Sequence, residues 1–263
     1  MILIKKKYYY ILIFTVLFLF QSTKILAASF LNRCPVSESS IFNSANNLYK
    51  EGKYEEAIEQ YKKIENMRFE SGNLFYNLGN CYFKTGRLGE SILYYEKAKK
   101  LLPRDSDLKL NYEIAKSTVT GYVVPVRQPF FFRISNFLFQ WLTVDELTIF
   151  ISICFILCLV ILLMRFFCPI CYVYLKSVFV VLFVIFILAC FSLFNKVSLI
   201  DKEAVILTAH AQIRFEPFKK ANVFFEISQG SKVEVLQQKD KWVKIKRCDG
   251  KIGWVAEESL GFI

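Results

Sequence analysis

Cys168-Pro-Ile-Cys171 is the place in this 263-residue chain where residue types and spacing best suit covalent chemistry. A CxxC pair can cycle between dithiol and disulfide, or supply half of a zinc site. The sequence offers no second CxxC pair and no histidine nearby. Redox pairs of this kind open a helix in a βαβ setting, which is missing here, so an incidental loop pair or a lipidation site is the simpler reading. The single histidine, His210, has no aligned nucleophile for a Ser/His/Asp set. No glycine-rich phosphate loop occurs. Glu55-Glu56 and Glu257-Glu258 are sequence neighbours, which on a helix point different ways and read as solvated charge. The expectation is a non-enzymatic protein with no catalytic residue, no metal site and no cofactor. The other cysteines form no framework: Cys154, Cys158 and Cys190 fall in apolar runs, Cys81 on a helix, and Cys34 and Cys248 stand alone.

The elements around these residues are more informative. Ala45, Leu48, Gly52, Tyr54, Ala57, Tyr61 and Ile64 recur 34 residues later as Gly79, Tyr82, Gly86, Leu88, Ser91, Tyr95 and Ala98. Small, aromatic and glycine positions in step at this period predict paired helices stacked as a short solenoid. Gly52 and Gly86 fall between the helices of each pair, Tyr61 and Tyr95 fill the space between pairs, and Pro103 ends the second copy. Leu108, Ile114 and Ala115 then mark a capping helix over 105–116. These positions resemble the tetratricopeptide (TPR) family over residues 36–116. The second copy, Asn77-Leu78-Gly79-Asn80 with Tyr82, Gly86 and Pro103, matches better than the first, which has Ala45 for glycine and Phe69 for proline. The resemblance implies a concave groove that holds a peptide. Asn43, Asn46, Tyr49 and Lys50, with Asn77, Asn80, Phe83 and Lys84, are the candidate groove residues, since within each copy they share one helix face. Amides can hold a peptide backbone in both directions, and lysine can hold a carboxylate. Replacing Asn46, Asn80 and Lys84 together is expected to abolish capture without unfolding.

Hydrophobic residues make up 54% of the chain, and the excess is concentrated. Lys5, Lys6 and Lys7, the apolar run Tyr8 to Phe20 and the small residues Leu26-Ala27-Ala28 predict a signal peptide over 1–28. Residues 117–146 form a linker rich in aromatics, including Phe130, Phe131, Phe132 and Trp141, suited to a bilayer interface. Uncharged apolar runs at 147–164 and 177–194 predict membrane helices. The connection 165–176 holds Arg165 and Lys176 and no acid, whereas Asp145, Glu146 and Asp201 flank the spans outside. The positive-inside rule makes that loop cytoplasmic and puts both flanking domains on the other side, as the signal peptide also requires. Neither span carries an ionisable group, which argues against an ion pathway. The net charge of +11 comes mostly from the leader and the membrane flanks, so no nucleic-acid partner is expected.

Residues 203–263 switch to period-two patterning. Ala204–Leu207, Lys232–Leu236, Trp242–Lys246 and Gly253–Val255 predict short strands, and Asp249-Gly250 a tight turn. Arg214, Glu216-Pro217, Gly230, Trp242-Val243-Lys244-Ile245, Asp249-Gly250 and Gly253-Trp254-Val255 resemble the bacterial SH3 (SH3b) family in order. Phe218 to Phe225 departs from that family's usual loop. The expected fold is a multidomain membrane protein: an all-α TPR solenoid, a transmembrane α-hairpin and a small all-β SH3-like barrel. This order resembles the BatE family of aerotolerance-operon proteins over nearly the whole chain. That resemblance implies a bacterial inner-membrane scaffold with TPR and SH3b domains in the periplasm, partnering Bat-type membrane proteins that bear von Willebrand A domains. A second reading makes the chain a cell-wall protein that binds peptidoglycan through its SH3b domain. A membrane thiol-redox protein using Cys168 and Cys171 is the weakest of the three.

Overall fold

The computed structural model describes residues 36–119, 129–167, 169–198 and 202–263. The signal peptide expected at 1–28 and Cys168 lie outside them. Among the described residues five helices come first: α1 (Val36–Lys50), α2 (Tyr54–Asn66), α3 (Gly72–Lys84), α4 (Leu88–Leu101) and α5 (Ser106–Ser117). The turns that reverse the chain after α1 and after α3 are copies of one another. Lys53 N–H bonds the Leu48 carbonyl at 2.9 Å, and Arg87 N–H bonds the Tyr82 carbonyl at 2.9 Å. Each closes around a glycine in the left-handed region, Gly52 at φ 78° and Gly86 at φ 76°. This is the usual way a helix end satisfies its last carbonyls, and a side chain at either position would be strained. Ala57, Tyr61, Ile64, Leu74, Leu78, Cys81, Ile92, Tyr95, Ala98 and Leu108 are buried between the helices. Asp105 caps α5, its carboxylate accepting from Leu108 N–H at 2.8 Å. Leu108 and Ala115 of α5 are buried in the array, but Ile114, read with them from the sequence, does not join the core; it is exposed.

After Pro129 the short helix α6 (Phe130–Phe139) leads into α7 (Val144–Phe167) and α8 (Pro169–Ser198). Both long helices extend past the apolar runs at 147–164 and 177–194, because charged residues do not end a helix; they limit only what lipid will cover. The twelve-residue loop expected at 165–176 is largely helical, and α7 and α8 are separated only by position 168. Val144–Met164 and Tyr174–Ser198 are long and apolar enough to cross a bilayer, and in an apolar 18-residue stretch of each only 17% and 11% of the residues are buried in the chain. The core helix of a soluble domain would hide its apolar side chains; these helices leave Ile153, Leu157, Val181 and Phe194 exposed. Helix α6 lies against α8, with the Phe132 and Phe191 rings 5.0 Å apart. The Lys196 ammonium donates to the Phe139 carbonyl at 3.0 Å, tying off the C-terminal end of α6.

The C-terminal region is one antiparallel sheet in the order β3-β2-β6-β5-β4-β1-β7. Its strands are β1 (Glu203–Ile206), β2 (His210–Arg214), β3 (Val223–Ser228), β4 (Lys232–Lys239), β5 (Trp242–Lys246), β6 (Ile252–Ala256) and β7 (Leu260–Phe262). Ile206, Ile213, Ile227, Val233, Val243, Ile245 and Val255 form its core. Strands β2, β3 and β7 are additional to the four read from patterning.

Candidate functional site

Side chains of α1, α3 and α5 come together on one side of the helical array, where they line a common cavity. Its side chains follow a rule repeated at 34 residues. The Asn46 side-chain carbonyl accepts from the Tyr61 hydroxyl at 2.5 Å and from the Asn77 amide at 3.0 Å. The Asn80 carbonyl accepts from the Tyr95 hydroxyl at 2.7 Å and from the Asn111 amide at 3.0 Å. Every member of the second trio lies 34 residues beyond its counterpart in the first. Each asparagine therefore joins the second helix of its own pair to the first helix of the next. Burial pushes both phenols well above their ordinary range, so they remain protonated donors. The next position in the series is Ile114, which has no amide carbonyl, and the ladder ends on α5.

Beside the second trio lies a cavity of about 260 Å³. Tyr49, Asn80, Phe83, Lys84, Asn111 and Ile114 line it, with Tyr95 beneath. Of the candidate groove residues, Tyr49, Asn80, Phe83 and Lys84 therefore meet at one site. Asn46 and Asn77 are joined to each other instead, and Asn43 and Lys50 are exposed on α1 outside the cavity lining. Asn46 and Asn80 have their carbonyl sides committed to the fold, and Asn80, which lines the cavity, keeps its amide N–H groups for a ligand. A triple change that includes both asparagines would disturb the array as well as the groove, so Phe83 and Lys84 are the better probes of capture. Asn111 and Ile114 are groove residues that motif reading missed. Asn111 stands 34 residues after Asn77, and that spacing was the available signal. The site combines an aromatic wall, amide donors and one exposed ammonium. Its lining is complementary to apolar and acidic groups, and it holds no nucleophile–base pair.

The sheet carries a second feature. Phe215, Phe218 and Phe224 are exposed, and the Phe215 and Phe224 rings lie 4.4 Å apart. The Arg247 guanidinium sits 4.6 Å from the Phe225 ring and is held by Asp249, whose carboxyl it pulls down to about 2. His210 is an exposed residue on β2 paired with Ser228. No group of three or more His, Cys, Asp or Glu side chains could hold a metal among the described residues.

Residues 72–105 match the tetratricopeptide repeat model, and residues 209–261 match the bacterial SH3 domain model. The chain thus joins two binding modules, of kinds suited to protein or cell-wall partners, through a pair of apolar helices. No curated protein matches the chain.

Proposed function

We propose that the protein is a non-enzymatic scaffold of the bacterial inner membrane. Its TPR groove holds a segment of a partner protein, its helical hairpin fixes the assembly to the bilayer, and its SH3b domain makes a second contact in the periplasm. The observation that carries this reading is the cavity where Phe83, Lys84 and Asn80 converge, on the side of the array that a partner can reach. The order of modules agrees with a Bat-type envelope complex in which von Willebrand A membrane proteins are the partners. Crosslinking and affinity purification from membranes test it. Phe83→Ala with Lys84→Glu should lower partner recovery at least tenfold while the array stays folded, with a melt lowered by several degrees, because Lys84 is exposed and Phe83 is half-buried at the edge of the core. Recovery equal to the parent would remove the groove from the account.

Orientation has its own test. Alkaline phosphatase fused after residue 119 should be active, and fused within 165–176 inactive, since only the outer compartment forms its disulfides. The reverse pattern would put both domains in the cytosol.

The exposed Phe215, Phe218 and Phe224 support a second reading, in which the barrel holds peptidoglycan through aromatic faces. Binding of the full chain to purified sacculi, lost in Phe215→Ala/Phe224→Ala, would favour it over the scaffold.

A further inference from the structure

In the first repeat, the outward side of α2 is covered by the second helix of the next pair. Glu65 accepts from the Tyr94 hydroxyl of α4 at 2.9 Å, and Lys97 of α4 lies 3.5 Å from the same carboxylate. Among the described residues no such helix lies against α4: α5 is followed by α6 and the two long apolar helices. The corresponding side of α4 is instead covered by the barrel. Val205 of β1 is buried in the same cluster as Ile92, Leu93 and Tyr94, with Leu207 and Ile263 packed alongside.

The approach is close enough to need glycine on both sides. A Cβ at Gly89, in the first turn of α4, would lie 2.8 Å from Leu207 Cα and 2.9 Å from the Leu207 carbonyl oxygen. A Cβ at Gly230 would lie 2.5 Å from Ile92 Cδ1, and one at Gly261 would lie 2.5 Å from Leu93 Cδ2. The first of these meets backbone, which cannot move aside as a side-chain tip can.

An ionic cluster crosses the same seam. Glu96, only 5% exposed, accepts from the Tyr112 hydroxyl at 2.6 Å and from the Lys232 ammonium at 3.1 Å. Lys232 also lies 2.9 Å from Glu203, which in turn lies 3.5 Å from Lys100. Burial would push Glu96 up, but Lys232, Lys99 and the Tyr112 hydroxyl outweigh it and hold the carboxyl below its ordinary value. Glu96 stands 34 residues after Lys62, which bonds Tyr94 of the following repeat. One repeat later, the same helix position reaches a strand.

We propose that the bacterial SH3 domain is the end-cap of the helical array, with its β1 and β7 strands standing where the second helix of a third repeat would pack. The two domains then form one headpiece instead of beads on a tether. The hairpin leaves and re-enters that headpiece, so both membrane helices start from one rigid body. The β1–β7 edge is consumed by this contact, and the other end of the sheet, β3 and β2 with Phe215 and Phe224, is left for a ligand.

Gly89→Ala in the full chain, purified in detergent, gives a test by sign. On a helix with nothing against it, alanine is the better residue and slows amide exchange. Against the barrel it must force the seam apart. The expected result is exchange at least tenfold faster in α4 and in β1 and β7 together, with a lower melting midpoint. Exchange that is unchanged or slower in α4, or faster in α4 with β1 and β7 unaltered, would overturn the proposal. If Gly89→Ala does not accumulate, Leu93→Cys with Gly261→Cys decides. Oxidation should join these two cysteines in most molecules, as read by mass spectrometry of the linked peptides, because a Cβ at position 261 would lie 2.5 Å from Leu93 Cδ2, which brings the two new sulfurs within reach of one another. Both thiols remaining open to maleimide after oxidation would overturn it equally.

Discussion

Gly79→Val is expected to lower the melting midpoint of the helical array by about 10 °C or more, a loss of about 3 kcal/mol. A Cβ at this position would lie 2.5 Å from Tyr95 Cδ1 and 2.6 Å from Cε1, well inside contact distance. Tyr95 cannot yield. Its ring is 1% exposed, and its hydroxyl is held by Asn80 at 2.7 Å. The backbone of Gly79 is fixed as well, since its carbonyl accepts from the buried Ser91 hydroxyl at 2.9 Å. Relieving the overlap therefore means separating α3 from α4 and breaking the ladder together. Helical circular dichroism during a thermal ramp reads the effect. A midpoint within 2 °C of the parent would show that the α3–α4 seam is looser than its geometry states.

The same glycine shows what the sequence made legible. Gly79, Gly86, Tyr95 and Pro103 announce a helical pair because each is forced by sterics local to one repeat: close helix approach, a left-handed turn, a ring in the gap, a chain stop. The amides were harder. On a helical wheel Asn46, Asn77 and Asn80 share a polar face, and a polar face looks alike whether it meets water, a ligand or the next repeat. What separates these is the tyrosine 15 residues on and the asparagine 31 residues on, a pairing visible only once the repeats are stacked. In the sheet, β5 alternates buried and half-buried positions and is readable, while β3 exposes Phe224 beside Val223 and breaks the alternation. The seam between α4 and β1 was out of reach. Leu93 and Gly261 are far apart in sequence, with two long apolar helices between them, and a small residue on a strand announces no partner.

Asn80→Leu is expected to destabilise the array by about 2–3 kcal/mol, and its rescue separates folding from recognition. Leucine has the size of asparagine without its carbonyl, so the buried Tyr95 hydroxyl loses its acceptor and bears its desolvation uncompensated. Asn111 suffers less, because its amide also donates to the Tyr76 hydroxyl at 2.8 Å. Adding Tyr95→Phe removes the stranded donor, and a matched apolar pair should recover most of the stability, since deleting both partners costs far less than deleting one. Failure to recover at least half of the loss in chemical denaturation would show that the ladder is not what Asn80 contributes. The rescued double variant then isolates the side of Asn80 that faces the cavity. Its amide N–H groups are gone while Phe83 and Lys84 remain in place. Partner recovery that returns with stability would assign Asn80 to the ladder alone and leave capture to the aromatic wall and the ammonium. Partner recovery that stays low in a stable array would make Asn80 a hinge between two tasks, its carbonyl binding one repeat to the next and its amide meeting the guest.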